Sequence, residues 1–460
     1  MSNITQMNWE KLLSRKRYEG QQSLSESEEM VRGEFQRDYD RIVFSSAFRR
    51  LQNKTQVMPL PESDFVHTRL THSLETSCVG RSLGRIVGKK ILEKYPGLEK
   101  SNLINEANFG DIVAAACLAH DIGNPPFGHS GEDAISAFFQ GPEASVFLQN
   151  LTDTQQADLQ NFEGNAAGFR ILTHTYPAQC SLPGGLSLTY TTLATFTKYP
   201  KESLPKIPDT KNTSEKKYGF FQSEKIWFKT IADELGLLSK TQTGEIFYHR
   251  HPLAFLVEAA DDICYRIIDF EDGCRLGLIP KDTAENLLKA ILEMPEGKKS
   301  RLEFYDWREQ IGFLRAKIIS KLIAETAEIF LANETEILAG TYDNPLISEV
   351  SSKTILNQIK KLSIESIYKN RAVLEIEAAG FEVLGGLLDI FLNAVFKPQS
   401  RRHQKILDLI PDQYLDMNRQ VHPDEYERIL QITDFISGLT DQAAINLYRK
   451  LKGISLPKGY

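Results

Sequence analysis

The sequence predicts an all-α fold, on three observations. Helix-like apolar spacing recurs over 26–52, 69–95, 111–120, 129–140 and 161–174, and dominates again from 282 to 453. Helix ends carry capping chemistry, as with Asp111 at one start and Gly123 just past the end of the same segment. β-type composition is confined to a Thr-rich run at 188–197. A chain of 460 residues exceeds one ordinary core. The expected organisation is a helical core over 1–275 and a helical C-terminal region over 276–460 packed on it. Within the core, about 179–223 reads as a small irregular or β insertion.

Taken in order, the helical segments concentrate their polar residues. The first-turn pattern Arg69-Leu-Thr-His72 puts Arg69 and His72 on one face of a long helix. The segment from Asp111 to Gly123 is alanine-rich and apolar until it reaches His120 and Asp121. A lone ionised carboxylate there would be costly, so Asp121 calls for a cation, either a metal or an arginine. Asn124-Pro-Pro-Phe-Gly-His129 follows as a rigid turn, because prolines fix φ. His129 and Glu132 then share a face of the next helix. Downstream, Asp261, Tyr265 and Asp269 fall at i, i+4 and i+8, a stripe about 12 Å long at the helical rise.

Together His72, His120, Asp121 and Asp261 offer two imidazoles and two carboxylates, a mixed N/O set that suits Mn, Fe, Zn or, less well, Mg. Taken singly, a capped helix end with a surface His-Asp, or a core tyrosine, would explain each of these residues as well. The insertion carries six lysines (198, 201, 206, 211, 216 and 217) against Glu202, Asp209 and Glu215. It reads first as a solvated surface loop, with a phosphate-facing lid as the sharper alternative. Near the C-terminus, Arg401-Arg402-His403 and Lys405 read as a solvated turn, and an allosteric nucleotide or single-stranded DNA contact is the alternative there.

Composition bounds the class. Apolar residues make up 41% and charged residues 25%, as in a globular protein, and a net charge of −7 argues against bulk nucleic-acid affinity. The first residues lack a signal peptide's charged and apolar regions, and no apolar run approaches ~20 residues, so no membrane span is expected. Cysteines 78, 117, 180, 264 and 274 form no Cys-x-x-Cys pair and read as free thiols of a reducing cytoplasm.

Five ordered strings carry a resemblance. They are Phe48-Arg-Arg-Leu-Gln-Asn-Lys-Thr-Gln56-Val, Thr-Arg69-Leu-Thr-His72-Ser, His120-Asp-Ile-Gly-Asn-Pro-Pro-Phe-Gly-His129, Phe162-Glu-Gly-Asn-Ala-Ala-Gly-Phe-Arg170 and Glu-Ala-Ala-Asp261-Asp-Ile-Cys-Tyr265. The set resembles the HD-domain phosphohydrolases, and within them the deoxyguanosine triphosphate triphosphohydrolase (dNTP triphosphohydrolase) family, from about residue 8 to 275 and more loosely beyond. The resemblance implies a divalent metal ion (Mn2+ or Mg2+, or else Fe, Zn, Co or Ni) on His72, His120, Asp121 and Asp261. It implies His129 and Glu132 as the catalytic pair. Gln56 and Asp269 match residues at the sugar 3′-hydroxyl, Tyr265 the aromatic on the deoxyribose, and Arg69 a phosphate contact. Asn124 stands where eukaryotic relatives carry a histidine, which favours His129 as the acid. Asp262 replaces a lysine of those relatives, leaving the γ-phosphate to groups such as Lys217 or Arg266. The implied reaction is water attack at the α-phosphorus of a dNTP, releasing deoxynucleoside and tripolyphosphate. The implied assembly is a homo-oligomer, hexamer ahead of tetramer. Alternatives are an HD phosphohydrolase of another nucleotide and a non-catalytic dNTP or nucleic-acid sensor.

Overall fold

The computed structural model describes residues 6–18, 32–56, 67–102, 104–175, 185–207, 210–240, 244–294 and 306–455. The helices that build the core and the site are α1 (Glu34–Phe44), α2 (Arg69–Lys94), α3 (Glu106–Ala119), α4 (His129–Gln140), α5 (Gly164–Thr173) and α6 (Tyr190–Phe196). They continue with α7 (Ala254–Arg275), α8 (Trp307–Ala332), α9 (Lys353–Ser363), α10 (Arg371–Phe396), α11 (Glu425–Ser437) and α12 (Asp441–Leu451). Among the described residues β-structure is limited to isolated bridges, such as Lys201 with Phe247. The fold is all-α.

Glycines set the central pairing. Gly80, Gly84 and Gly88 recur at four-residue spacing on α2, so they form one stripe facing α3. A Cβ on Gly84 would stand 2.5 Å from the Phe109 carbonyl oxygen, and one on Gly88 would stand 2.6 Å from the Phe109 side chain. Only glycine lets the two backbones come this close. α7 packs on α2 and α3, and α8 covers α2 and α7. Phe35, Leu83, Phe109, Ile112, Leu256 and Ile318 belong to this first core. A second core joins Ile135 and Phe139 of α4 to Leu387 and Phe391 of α10, Ile429 of α11 and Ala444 of α12. The chemistry-bearing turn 120–128 lies between α3 of the first core and α4 of the second.

Several elements differ from the sequence expectation. α3 starts at Glu106 because Asn105 and Asn108 form a reciprocal capping box, so Asp111 lies inside the helix and does not cap it. The 26–52 pattern splits at Ser45, which caps a second short helix (Ser46–Arg50), and residues 19–31 lie outside the described residues. The Thr-rich run is helical: Thr189 caps α6 by accepting from the Thr192 amide, and every residue of α6 is buried. Lys201, Glu202, Ser203 and Tyr218 of the insertion are buried, while Lys206, Lys211 and Lys216 are exposed, so only part of it is the solvated loop expected. α10 is long and apolar enough to cross a membrane, contrary to the expectation that no segment is. Its Leu384, Leu387, Leu388 and Phe391 are spent instead in the second core. Cys117, Cys264 and Cys274 are buried free thiols, Cys78 is exposed, and Cys180 lies outside the described residues.

Gly84→Ala should lower the denaturation midpoint. Overpacking of ~1–3 kcal/mol outweighs a helix-propensity gain of up to ~1 kcal/mol. Gly312 in α8 has nothing within 4 Å of the point where an alanine methyl would stand, so Gly312→Ala should stabilise by about 0.5–1 kcal/mol in the same titration.

Candidate active site

Three helices deliver the cluster. Thr68 caps α2 through a capping box with Thr71, which fixes Arg69 and His72 in the first turn. His120 is the C-cap of α3, and Asp121 follows it in a tight turn. Asp261 comes from the middle of α7. The Asp261 Oδ1 lies 3.2 Å from His72 Nε2 and 3.5 Å from His120 Nε2. The His120 Nε2 is also 3.5 Å from Asp121 Oδ1. One ligand atom each from His72, His120 and Asp261 falls within 4.8 Å of the others.

Neighbours orient these groups. The Cys117 carbonyl sits 2.7 Å from His120 Nδ1, which favours a proton there and turns Nε2 toward the cluster. Asp121 accepts from Arg69 Nη1 at 2.7 Å and from Asn124 Nδ2 at 2.6 Å. Burial works against charge on Asp121, but His120 and Arg69 outweigh it and hold the carboxyl at about 2. Burial likewise opposes protonation of His120, yet Asp121 and Asp261 raise it to about 9. Asp261 is held well below the usual carboxylate range: burial pushes it up, and His120 and His72 more than reverse that. Two imidazoles and two ionised carboxylates converging here fit a divalent metal ion, which would displace the proton that His120 otherwise retains.

The cluster opens on a cleft of about 580 Å³, within the range of small-molecule sites. Gln56, Arg69, Asn124, His129 and Tyr265 line it, as do Lys198 and Lys217. His129 opens α4 with its side chain 79% exposed to the cleft, and its Nδ1 lies 2.7 Å from Glu132 Oε2. The other Glu132 oxygen accepts from the Gly164 amide at 2.6 Å. The hydrogen bond to Glu132 raises the His129 pKa above its ordinary value. Gly128, at φ +62°, meets the Arg69 guanidinium, since a Cβ there would stand 2.6 Å from Nη2.

The structure therefore brings His72, His120, Asp121, Asp261, Arg69, Asn124, His129 and Glu132 into one constellation. Gln56 stands on the cleft with a buried Oε1 that has no hydrogen-bond partner among the described residues. Tyr265 stacks on Tyr368, with ring centroids 5.7 Å apart and planes 8° from parallel. Asp269 is not on the cleft wall: it is 1% exposed and accepts from the Tyr368 hydroxyl at 2.7 Å. Arg266 turns away to Asn357 and Asp262. Lys217 does reach the cleft, 3.0 Å from Glu163 and 3.8 Å from Glu132. Lys198, one of the insertion's six lysines but not singled out as a site residue, has its Nζ 3.5 Å from Asp261 Oδ2. Burial opposes its charge, but Tyr199 and Asp261 keep it protonated. The one available signal was a lysine placed directly after a buried threonine-rich helix.

Comparison with known proteins agrees with this geometry. Residues 69–154 match the HD domain and 350–450 the phosphohydrolase-associated domain. A deoxyguanosinetriphosphate triphosphohydrolase-like protein of Synechocystis sp. is 46% identical, covering 98% of this chain and all 100% of that protein. The chain belongs to the HD-domain dGTPase family. Within the family, a deoxyguanosinetriphosphate triphosphohydrolase-like protein of Pseudomonas aeruginosa is 37% identical over 98% of this chain and 100% of its own. The deoxyguanosinetriphosphate triphosphohydrolase of Salmonella paratyphi A is 31% identical over 97% and 98%. As a family member the chain is a phosphohydrolase, and its HD domain is of a metal-dependent kind.

Mn2+ at about a hundredfold over its dissociation constant should raise unfolding stability by about 2.7 kcal/mol. Chelation should remove that gain, and Asp261→Ala should abolish it; an unchanged melting curve for wild type with and without Mn2+ would refute the metal centre.

Proposed function

We propose that this family member hydrolyses deoxynucleoside triphosphates to deoxynucleoside and tripolyphosphate. The observation that carries this reading is one cleft lined by His120, Asp121, Asp261, His129 and four cationic side chains, Arg69, Lys198, Lys217 and Lys360, with His72 and Glu132 behind it as partners of Asp261 and His129. A divalent ion held by His72, His120, Asp121 and Asp261 would acidify a water and polarise the phosphoryl oxygen.

The water oxygen bonds to the α-phosphorus, releasing its proton to solvent, as the bond from phosphorus to O5′ breaks. The leaving O5′ takes up a proton, and His129 is the group to give it. Glu132 holds one face of the imidazole and favours its charged form, leaving Nε2 for the leaving oxygen. Arg69, Lys198 and Lys217 bind the departing tripolyphosphate. For Lys217, burial disfavours charge, but Glu132 and Glu163 restore it. Tyr265, backed by Tyr368, walls the sugar subsite, where a 2′-hydroxyl would meet a ring face instead of a partner. Gln56, on the cleft with an oxygen that has no partner among the described residues, is an acceptor for a sugar hydroxyl. The free buried thiols accord with a reducing cytoplasm as its place of work.

Each dNTP, singly and mixed, should be incubated with protein and Mn2+ or Mg2+ and resolved by anion chromatography and nucleoside HPLC. Tripolyphosphate equimolar with deoxynucleoside, lost in Asp121→Ala, is the expected result. Stepwise release of pyrophosphate or orthophosphate would make the protein an HD phosphohydrolase of a different kind.

The acid role fixes a sign. His129 acts when protonated, so the rate should fall as pH rises through its raised pKa. Glu132→Gln removes the cause of that rise, so the alkaline limb should move down toward about 6.5. A limb that stays in place in the Glu132→Gln profile would remove His129 from the acid role.

A further inference from the structure

The catalytic turn is not held by the HD helices alone. We propose that Asp441 and Lys54 are positioning residues, through which α11 and α12 of the phosphohydrolase-associated region complete the active site; this rests on the metal-dependent phosphohydrolase reading of that site.

Asp441 opens α12 and is 1% exposed. Its Oδ1 accepts from the Phe127 amide at 3.1 Å. Its Oδ2 accepts from the Thr55 amide at 3.0 Å and from the Thr55 hydroxyl. A single carboxylate thus holds two segments of the cleft wall that lie far apart in sequence. Phe127 has φ +66°, a left-handed conformation that a non-glycine residue keeps only where its surroundings impose it. Its amide bond to Asp441 is part of that imposition.

Lys54 makes the matching contact from the other side. It is 4% exposed, and its Nζ donates to the Asn124 carbonyl at 2.6 Å and to the Ser437 carbonyl, at the end of α11, at 2.8 Å. Its own carbonyl accepts from the Arg69 amide at 3.3 Å. Thr55 pairs with Thr68, the residue that caps α2 ahead of Arg69 and His72.

Three segments therefore meet on one clamp. Residues 54–56 carry Gln56, 68–72 carry Arg69 and His72, and 124–129 carry Asn124 and His129. Asn124 in turn orients Asp121. A carboxylate suits the position because all three of its partners there are donors. A lysine suits the other because both of its partners are carbonyls.

The test uses the full chain with Asp441→Ala, Asp441→Asn and Lys54→Met. Asp424→Ala serves as control, since Asp424 caps α11 by accepting from the Glu427 amide and touches none of these segments. Two readouts are taken on protein shown to be folded by circular dichroism: dNTP turnover, and Mn2+ affinity by calorimetry with Mn2+ alone. Loss of an outer contact to metal ligands or catalytic groups costs about 10–100-fold in affinity or activity. Asp441→Ala and Lys54→Met should accordingly lose at least about tenfold in kcat or in Mn2+ affinity. Asp441→Asn, which keeps one acceptor oxygen, should fall between them and wild type, and Asp424→Ala should match wild type in both. If Asp441→Ala does not fold, Asp441→Asn and Lys54→Met decide. Wild-type kcat and wild-type Mn2+ affinity in those folded variants would overturn the proposal. If wild type turns over no dNTP, the substrate reading fails, and the Mn2+ titration alone decides the clamp.

Discussion

Holding two carboxylates, Asp121 buried and Asp261 half-buried, where three helices meet is costly unless cations surround them, and that requirement organises the molecule. Asp121 and Asp261 could not stay ionised among apolar helices without His72, His120, Arg69 and Lys198 close by. Those partners reside on different elements, so α2, α3, α7 and the segment after α6 must all converge on one point. The glycine stripe of α2 makes the convergence sterically feasible by letting α3 approach within backbone distance. The caps set the rotation. Thr68 places Arg69 and His72 in the first turn of α2, and the C-terminus of α3 presents His120 and Asp121.

Charges of both signs line the cleft. His120, Asp121 and Asp261 share its lining with Arg69, Lys198 and Lys217. His129 lines it too, its imidazole exposed and the Glu132 carboxylate buried against the start of α5. Such a lining suits a phosphate-bearing ligand. Half-buried amines kept charged by neighbouring acids need little reorganisation when a phosphate arrives. The aromatic pair Tyr265–Tyr368 closes the apolar side, and Asp269 lies behind it as the partner of the Tyr368 hydroxyl.

The cleft is also a junction between two cores. The first core positions the His/Asp cluster, and the second packs α4 under α10, α11 and α12. The turn 120–128 joins α3 to α4 and belongs wholly to neither core. A turn with a left-handed phenylalanine and two prolines holds its shape only if contacts from both sides define it. The C-terminal helices are thus structurally continuous with the site, in accord with relatives whose similarity extends over nearly the entire chain.

Much of the site was legible along the chain because its chemistry is local. His120-Asp121, the Pro-Pro turn, His129 with Glu132, and the i, i+4 spacing on α7 each need only a few adjacent residues. Helix class was legible for the same reason: apolar periodicity and Gly or Asn stops are short-range signals. Where the reading missed, packing had overridden composition. The threonines at 189–197 look like a strand, yet they cap and line a buried helix, with hydroxyls satisfied by neighbouring oxygens. The lysine-rich insertion looks solvated, yet Lys198 and Lys217 turn inward to acids from distant segments. α10 has an apolar stretch long enough to cross a membrane, and only its partners in the second core show where that surface goes. Neighbouring residues along the chain were thus enough to nominate candidate groups and the helices that carry them, and the family resemblance supplied their roles. Folding in three dimensions settled the rest: which of those groups face the cleft, that Asp269 stands behind Tyr368, and that Asp441 reaches Phe127 from more than three hundred residues away. Such contacts come from helix ends brought together in space, and no local pattern encodes them.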